Sequence, residues 1–269
     1  MSTPRVWLIT GASRGLGHAF AQAALRAGDR VVALSRTPAQ LEGDVLVLTA
    51  DVTDRAAVFA AVERAVDHFG RLDVVVNNAG ALWFGAVEEF TETEARAAME
   101  LNFFGALWVT QAVAPHLRAS RGRLLQISSI GGVVSGPLAG LYSATKFALE
   151  GLTEALAQEL APFGVRTTLV EPGGYLTDLY TTGMHLATPR DVYAPLREAG
   201  GESIDSEPQL AAAAVMQLVD SDDPPLRLIL GGAVLDAAID LTTERIAAWK
   251  QWEPVSRAAE QAGVSQQSV

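Results

Sequence analysis

Tyr142 and Lys146 stand four residues apart in Tyr142-Ser-Ala-Thr-Lys146. On a helix that spacing puts the two side chains one turn apart on one face. An ammonium beside a phenol favours the phenolate and draws it below its ordinary pKa of about 10. A tyrosine tuned in this way can give or take a proton near neutral pH. Ser128 and Ser129 end the apolar run that precedes this segment. Asn102 sits among Leu101, Phe103 and Phe104, where a buried amide needs a partner. A second kind of chemistry lies near the start of the chain, in Thr10-Gly-Ala-Ser-Arg-Gly-Leu-Gly17 between an apolar run and a helical stretch. Glycines there permit a tight turn and let backbone N–H groups approach a pyrophosphate, with the positive end of the helix behind them. The spacing is G-x-x-x-G-x-G, not the G-x-G-x-x-G of the standard dinucleotide fingerprint.

These groups need elements to position them. Compact apolar runs at 6–10, 30–34, 45–49, 72–76, 123–127, 165–170 and 226–230 predict seven strands. Helical patterns fall between them, including a capping box at Thr91-Glu-Thr-Glu94 that opens a helix running through Asn102 to about residue 118. Strand and helix in alternation specify an α/β fold: a doubly wound, mostly parallel sheet flanked by helices, in one domain spanning 1–269. Residues 178–207 show no clear period, which predicts a binding loop or lid. A further helix is predicted at about 235–252, with a frayed polar tail from Glu260.

The second predicted strand ends at Ser35-Arg36, where a nucleotide unit meets the adenosine ribose. A carboxylate there selects NAD. This chain instead has Ser35 with Arg36 beside it and Arg14 in the glycine loop, and two guanidiniums converging there suit the 2′-phosphate of NADP(H). Asn77-Asn-Ala-Gly80 follows the fourth strand, at the sheet edge where open α/β proteins bind ligands.

Composition narrows the alternatives. The 269 residues are 49% hydrophobic and carry 20 basic against 31 acidic groups, a net charge of −11. Nothing offers the broad basic surface that nucleic acid or an anionic membrane would need. No cysteine is present, so thiolate chemistry and Cys-based zinc sites are excluded, and the four histidines lack ligand spacing. No apolar run approaches the ~18 residues of a membrane span, and the N-terminal one is too short for a signal peptide, which predicts a cytoplasmic chain.

Thr10-Gly-x-x-x-Gly-x-Gly17, Asn77-Asn-Ala-Gly80, Asn102, Ser129, Tyr142-x-x-x-Lys146 and Pro172-Gly173 occur in order and at the separations of one family. The chain resembles a short-chain dehydrogenase/reductase, closely over about residues 5–180. Its later part looks like the branch of 17β-hydroxysteroid-dehydrogenase-like bacterial reductases, which does not by itself name a steroid substrate. The resemblance implies a Rossmann-type domain with Tyr142 as proton donor or acceptor. Lys146 would lower the Tyr142 pKa and hold the nicotinamide ribose, and Ser129 would bond the substrate oxygen, with Ser128 its competitor. Asn102 would anchor a water leading from Lys146 to solvent. Gly11, Ser13, Gly15, Leu16, Gly17, Asp51, Val52, Asn78, Ala79, Gly80, Pro172, Gly173 and Thr177 fall at cofactor positions, with Arg14, Ser35 and Arg36 at the 2′-phosphate.

The implied activity is NADPH-dependent hydride transfer to a ketone, or the reverse from a secondary alcohol. Apolar residues at 82–84 and in the predicted lid favour a hydrophobic or cyclic small molecule. Two rivals remain: a non-catalytic NADP-binding protein, and an epimerase or dehydratase using the same Tyr–Lys pair. Relatives pair two long helices, here 91–118 and 141–163, so a homo-oligomer, dimer or tetramer, is expected.

Overall fold

The computed structural model describes residues 3–199 and 205–260. In chain order the strands are β1 (Val6–Thr10), β2 (Arg30–Ser35), β3 (Val45–Thr49), β4 (Val74–Asn77), β5 (Leu82–Phe84), β6 (Arg123–Ile127), β7 (Arg166–Pro172), β8 (Met184–Leu186) and β9 (Arg227–Leu230). The helices are α1 (Gly15–Arg26), α2 (Arg55–Phe69), α3 (Glu92–Met99), α4 (Gly105–Ser120), α5 (Gly140–Leu160), α6 (Ala194–Glu198), α7 (Pro208–Asp220) and α8 (Gly232–Ala258).

Seven strands form one sheet in the order β3-β2-β1-β4-β6-β7-β9, and every pairing is parallel. A parallel sheet needs crossover helices, which cover both faces and force continuous apolar strands. In β1 all five residues are buried. Trp7 and Ile9 point into a core with Phe20 of α1 and Leu218 of α7, while Val6 and Leu8 join Val62 of α2 and Leu117 of α4 on the other side. The strand order reverses between β1 and β4. That switch point opens a crevice at the carboxyl ends of the strands, where ligands of such sheets bind.

The helix expected to run unbroken from residue 91 to 118 is interrupted. Thr91 caps α3 as predicted, but Glu100–Phe104 form a π-helical turn before α4 begins, with the Gly105 N–H bonded to the Glu100 carbonyl. Pro115 lies inside α4 without ending it. The stretch 178–207 is also more regular than expected. It holds β8, which pairs in parallel with β5, and the short helix α6. Residues 200–204 of that stretch and the tail after Glu260 lie outside the described residues. Helix α8 is longer than predicted and carries Pro254 within it.

Candidate active site

The glycine loop between β1 and α1 is shaped by contacts that exclude side chains. Gly11 and Gly15 have φ of +66° and +57°, which disfavours any residue with a Cβ. A Cβ on Gly11 would lie 2.9 Å from Asn78 Nδ2 and 3.1 Å from the Ala79 backbone. Gly17 is a packing glycine beneath the loop, where a Cβ would collide with the Gly11 carbonyl oxygen and Asn78. Thr10 ties the carboxyl ends of neighbouring β1 and β4 together: its Oγ1 accepts from the N–H of Asn78 at 2.9 Å and of Ala79 at 3.0 Å. No side chain caps α1, so its first N–H groups are left for a ligand. Gly11, Ser13, Gly15 and Leu16 line one side of a cavity of about 820 Å³, and Val52, Ala79 and Gly80 line the other. A fold-typical dinucleotide fits this cradle of bare backbone, uncapped helix and open volume.

The ribose end differs from the sequence expectation. Arg14 and Arg36 both line the cavity and both are exposed, but Arg14 does not turn toward Arg36. It bonds Thr182 and lies 3.9 Å from Asp178, across the cavity mouth. Ser35 is buried and donates its hydroxyl to the Thr37 carbonyl at 2.7 Å. Asp51 accepts from the Thr53 N–H and hydroxyl. Arg36 is thus the guanidinium already placed beside the Ser35 turn.

Tyr142, Lys146 and Ser129 meet at the cavity wall, brought there by α5 and by the end of β6. Ser129, rather than Ser128, is the serine that acts on the Tyr142 phenol, drawing its pKa down. Ser129 Oγ also accepts from the Gly131 N–H at 3.0 Å, which fixes its rotamer. Ser128 is buried and turned away: a Cβ on Gly132 would touch both Ser128 Oγ and Glu150. Lys146 Nζ donates to the Ile127 carbonyl at 2.9 Å and lies 5.8 Å from the centre of the Tyr142 ring.

The expected drop in the Tyr142 pKa is not what this arrangement produces. Burial pushes the phenol up to about 12, with Ser129 pulling the other way. Burial also pulls Lys146 down to about 8, opposed by the charge on Glu150. The cause is burial: Lys146 gives one N–H to the Ile127 carbonyl, its charge is not among the influences on the phenol, and desolvation wins. At neutral pH this gives a proton-bearing tyrosine above a lysine that is still cationic.

Asn102 is buried at the π turn, and its side chain is spent on the protein. Its Oδ1 accepts from the Ala81 N–H, and its Nδ2 donates to the Ala81 carbonyl and to Thr145 Oγ1, each at 3.0 Å. Thr145 in turn donates to the Tyr142 carbonyl at 2.7 Å. Asn102 therefore braces the Asn-Ala-Gly turn against the tyrosine helix, and both of its amide hydrogens are engaged. The side chain has no donor left for the water expected there, though one lone pair of Oδ1 remains.

Several site residues escaped the sequence reading. Behind the serines, Glu171 of β7 and Glu150 of α5 are buried side by side, joined by Arg227 of β9 at 3.3 and 3.1 Å. Burial pushes Glu171 up to about 7, reinforced by the Glu150 carboxylate and opposed by Arg227. Val234, in the first turn of α8, lines the cavity and packs on Gly173. Tyr180 and Leu179, which the predicted lid already included, close the same wall beside Thr177. Farther out, β8 and α6 are held by a pair of acids after β5. Buried Glu89 accepts from the Arg190 N–H at 2.6 Å and pairs with Arg197, while Glu88 accepts from Arg190 and from the Tyr193 hydroxyl. The doublet Glu88-Glu89 against Arg190 and Arg197 was the available signal, but pairing acids and bases about 100 residues apart requires the fold.

Known proteins match both the geometry and the sequence. The family model described as short chain dehydrogenase matches residues 5–184. A 3-ketodihydrosphingosine reductase of Bacteroides thetaiotaomicron is 39% identical over 241 residues, covering 86% of this chain and 89% of its own. A short-chain dehydrogenase from Streptomyces avermitilis superposes with a TM-score of 0.90 at 37% identity, over 97% of this chain and all of that one. Two more distant structures differ in cofactor. A Burkholderia cenocepacia short chain dehydrogenase is in complex with NADP (TM-score 0.76, 28% identity, 92% of this chain and 97% of that one). A 3-ketoacyl-(acyl-carrier-protein) reductase from Brucella melitensis is complexed with NADH (TM-score 0.73, 27% identity, 84% and 96%). This chain belongs to the short-chain dehydrogenases and is an NAD(P)-dependent oxidoreductase.

Proposed function

We propose that the chain is an NADPH-dependent ketoreductase acting on a hydrophobic or cyclic ketone, with Tyr142 as the proton donor. The observation that carries this reading is the convergence of Ser129, Tyr142 and Lys146 on one cavity wall, with Lys146 held by the Ile127 carbonyl. When bound, the nicotinamide supplies the hydride. Tyr142 keeps its proton at neutral pH and delivers it to the carbonyl oxygen as negative charge grows there. Ser129 donates to the same oxygen, a contribution worth roughly 2.7–4 kcal/mol for a well-placed donor. Lys146, still charged, steadies the phenolate left behind. Asn102 and Thr145 hold the turn at Ala81 and the first turn of α5 in register.

Arg36 supports NADPH over NADH, since it is exposed at the end of β2 where a 2′-phosphate would lie. The mouth formed by Leu179, Tyr180 and Val234 supports an apolar substrate, with residues from Asp178 onward as its lid. Relatives named for reducing 3-keto compounds agree with a ketone. Among the described residues no helix is long and apolar enough to cross a membrane, and a cytoplasmic setting belongs to the same reading.

The test is a panel of ketones and alcohols followed by NADPH absorbance, repeated with Tyr142→Phe. Turnover should drop by at least about a hundredfold, the usual contribution of a general acid, while NADPH titrations stay unchanged. Near-normal rates in that variant would remove Tyr142 as donor. Absence of any turnover with intact binding in the parent chain would favour the non-catalytic alternative. Equal affinity for NADH and NADPH, or a preference indifferent to Arg36→Ala, would overturn the cofactor assignment.

A further inference from the structure

Helix α8 is 27 residues long, and Ala238 is its only buried residue. Leu235, Ile239, Ile246 and Trp249 are all exposed, Trp249 to 65%. Together with Thr242 they occupy the alternating four- and three-residue steps of a heptad seam. Arg245, one residue before Ile246, reaches the Val133 carbonyl at 3.4 Å. That contact turns the neighbouring face toward the body and leaves the seam beside it, open. An apolar stripe on so long a helix calls for a covering surface.

Charge indicates what covers it. Asp236, Thr243, Lys250 and Arg257 follow one another at seven-residue intervals along the edge of the seam, acidic at the start and basic at the end. A second α8 running antiparallel about a two-fold axis at Thr242 satisfies both patterns in one register. Leu235 then lies opposite the partner's Trp249, Ile239 falls within one residue of the partner's Ile246, and Asp236 within two of the partner's Lys250, offsets of about 1.5 Å per residue that long side chains span. Thr242 meets its own copy on the axis. The match of a patch with itself is what an isologous interface requires. An anionic membrane suits this helix poorly, because Asp236, Asp240, Glu244 and Glu253 oppose it and the whole chain carries −11.

We propose that α8 is a self-association surface through which two copies of the chain pair antiparallel about Thr242. The pairing bears on the pocket, since Val234 at the head of the same helix packs on Gly173 and lines the cavity. It does not depend on the reaction assigned above, and its test uses no substrate.

The chain has no cysteine, so single reporters can be introduced in the full-length protein. Thr242→Cys should give a disulfide-linked dimer under mild oxidation, because residues on the axis come within disulfide reach. Ala248→Cys, on another face of the same helix, should not. Lys250→Asp should weaken self-association about tenfold in sedimentation equilibrium, as two exposed ion pairs become two like-charge contacts. Asp236→Lys combined with Lys250→Asp should restore it. Cross-linking at neither position, or equally at both, would overturn the proposal. So would a parent chain that sediments as a monomer, or an association that Lys250→Asp leaves unchanged.

Discussion

Glu171→Gln should flatten the pH dependence of stability. Glu171 is fully buried beside Glu150, and burial holds its carboxyl at about 7 instead of its ordinary 4.5. Between those values the folded chain keeps a proton that the unfolded chain has released. The sign follows: stability is full below pH 4.5 and falls as pH rises through about 7. At about 1.4 kcal/mol per pH unit, the gap amounts to about 3 kcal/mol, or roughly 5 °C of melting temperature for a chain of this length. Burial raises Glu150 as well, so the two acids titrate as a pair, and removing one charge releases most of the strain on both. The glutamine is nearly isosteric and keeps an acceptor for Arg227. Melting curves at pH 5, 6, 7 and 8 for both proteins provide the test, read as the difference between them so that other titrating groups cancel. The variant should match the parent at pH 5 and exceed it at pH 8. A difference that stays flat across that range, or grows in the opposite direction, would refute the claim that this carboxyl is proton-bearing in the folded chain.

Gly17→Ala should cost about 1–3 kcal/mol and weaken NADPH binding, because its Cβ collides with the Gly11 carbonyl, which cannot yield without moving the loop; melting and titration read both effects. Asn102→Ala strands both backbone groups of Ala81, and thermal melts should register a loss of about 2–4 kcal/mol. Arg14→Ala should leave stability within about 1 kcal/mol, since its pairing with Asp178 is exposed, but limited proteolysis should cut faster around residue 182. Reduction should decline above about pH 8 as Lys146 loses its proton, a decline measurable as a basic limb in the pH–rate profile.

How far the sequence could be read depended on the range of the forces involved. The seven sheet strands were legible because a strand buried on both faces must be apolar throughout, as in β1. Thr91 and Glu94 announced the start of α3 for a similarly local reason. The π turn at Glu100–Phe104 left no such mark. Its residues suit an ordinary helix, and the extra residue is accommodated by Asn102 reaching Ala81 and Thr145, which are distant in sequence. Strands β5 and β8 have three residues each and no alternation to detect. The Tyr142–Lys146 spacing located the chemistry correctly but misjudged its electrostatics. Desolvation depends on what surrounds the phenol, and the carbonyl of Ile127 that claims Lys146 is nineteen residues away.

The segment that follows the cavity wall is fastened chiefly by side chains to one small neighbourhood. Strand β8 leans on β5, and Arg190, Tyr193 and Arg197 bond Glu88 and Glu89 just beyond it. Nothing in that set of contacts touches the seven-stranded sheet. The arrangement amounts to a detachable module: residues 82–89 are the socket and residues 184–198 the plug. Transplanting the two together between related enzymes would carry the fastening with the segment, whereas moving the plug alone would leave a buried Glu89 without its cation.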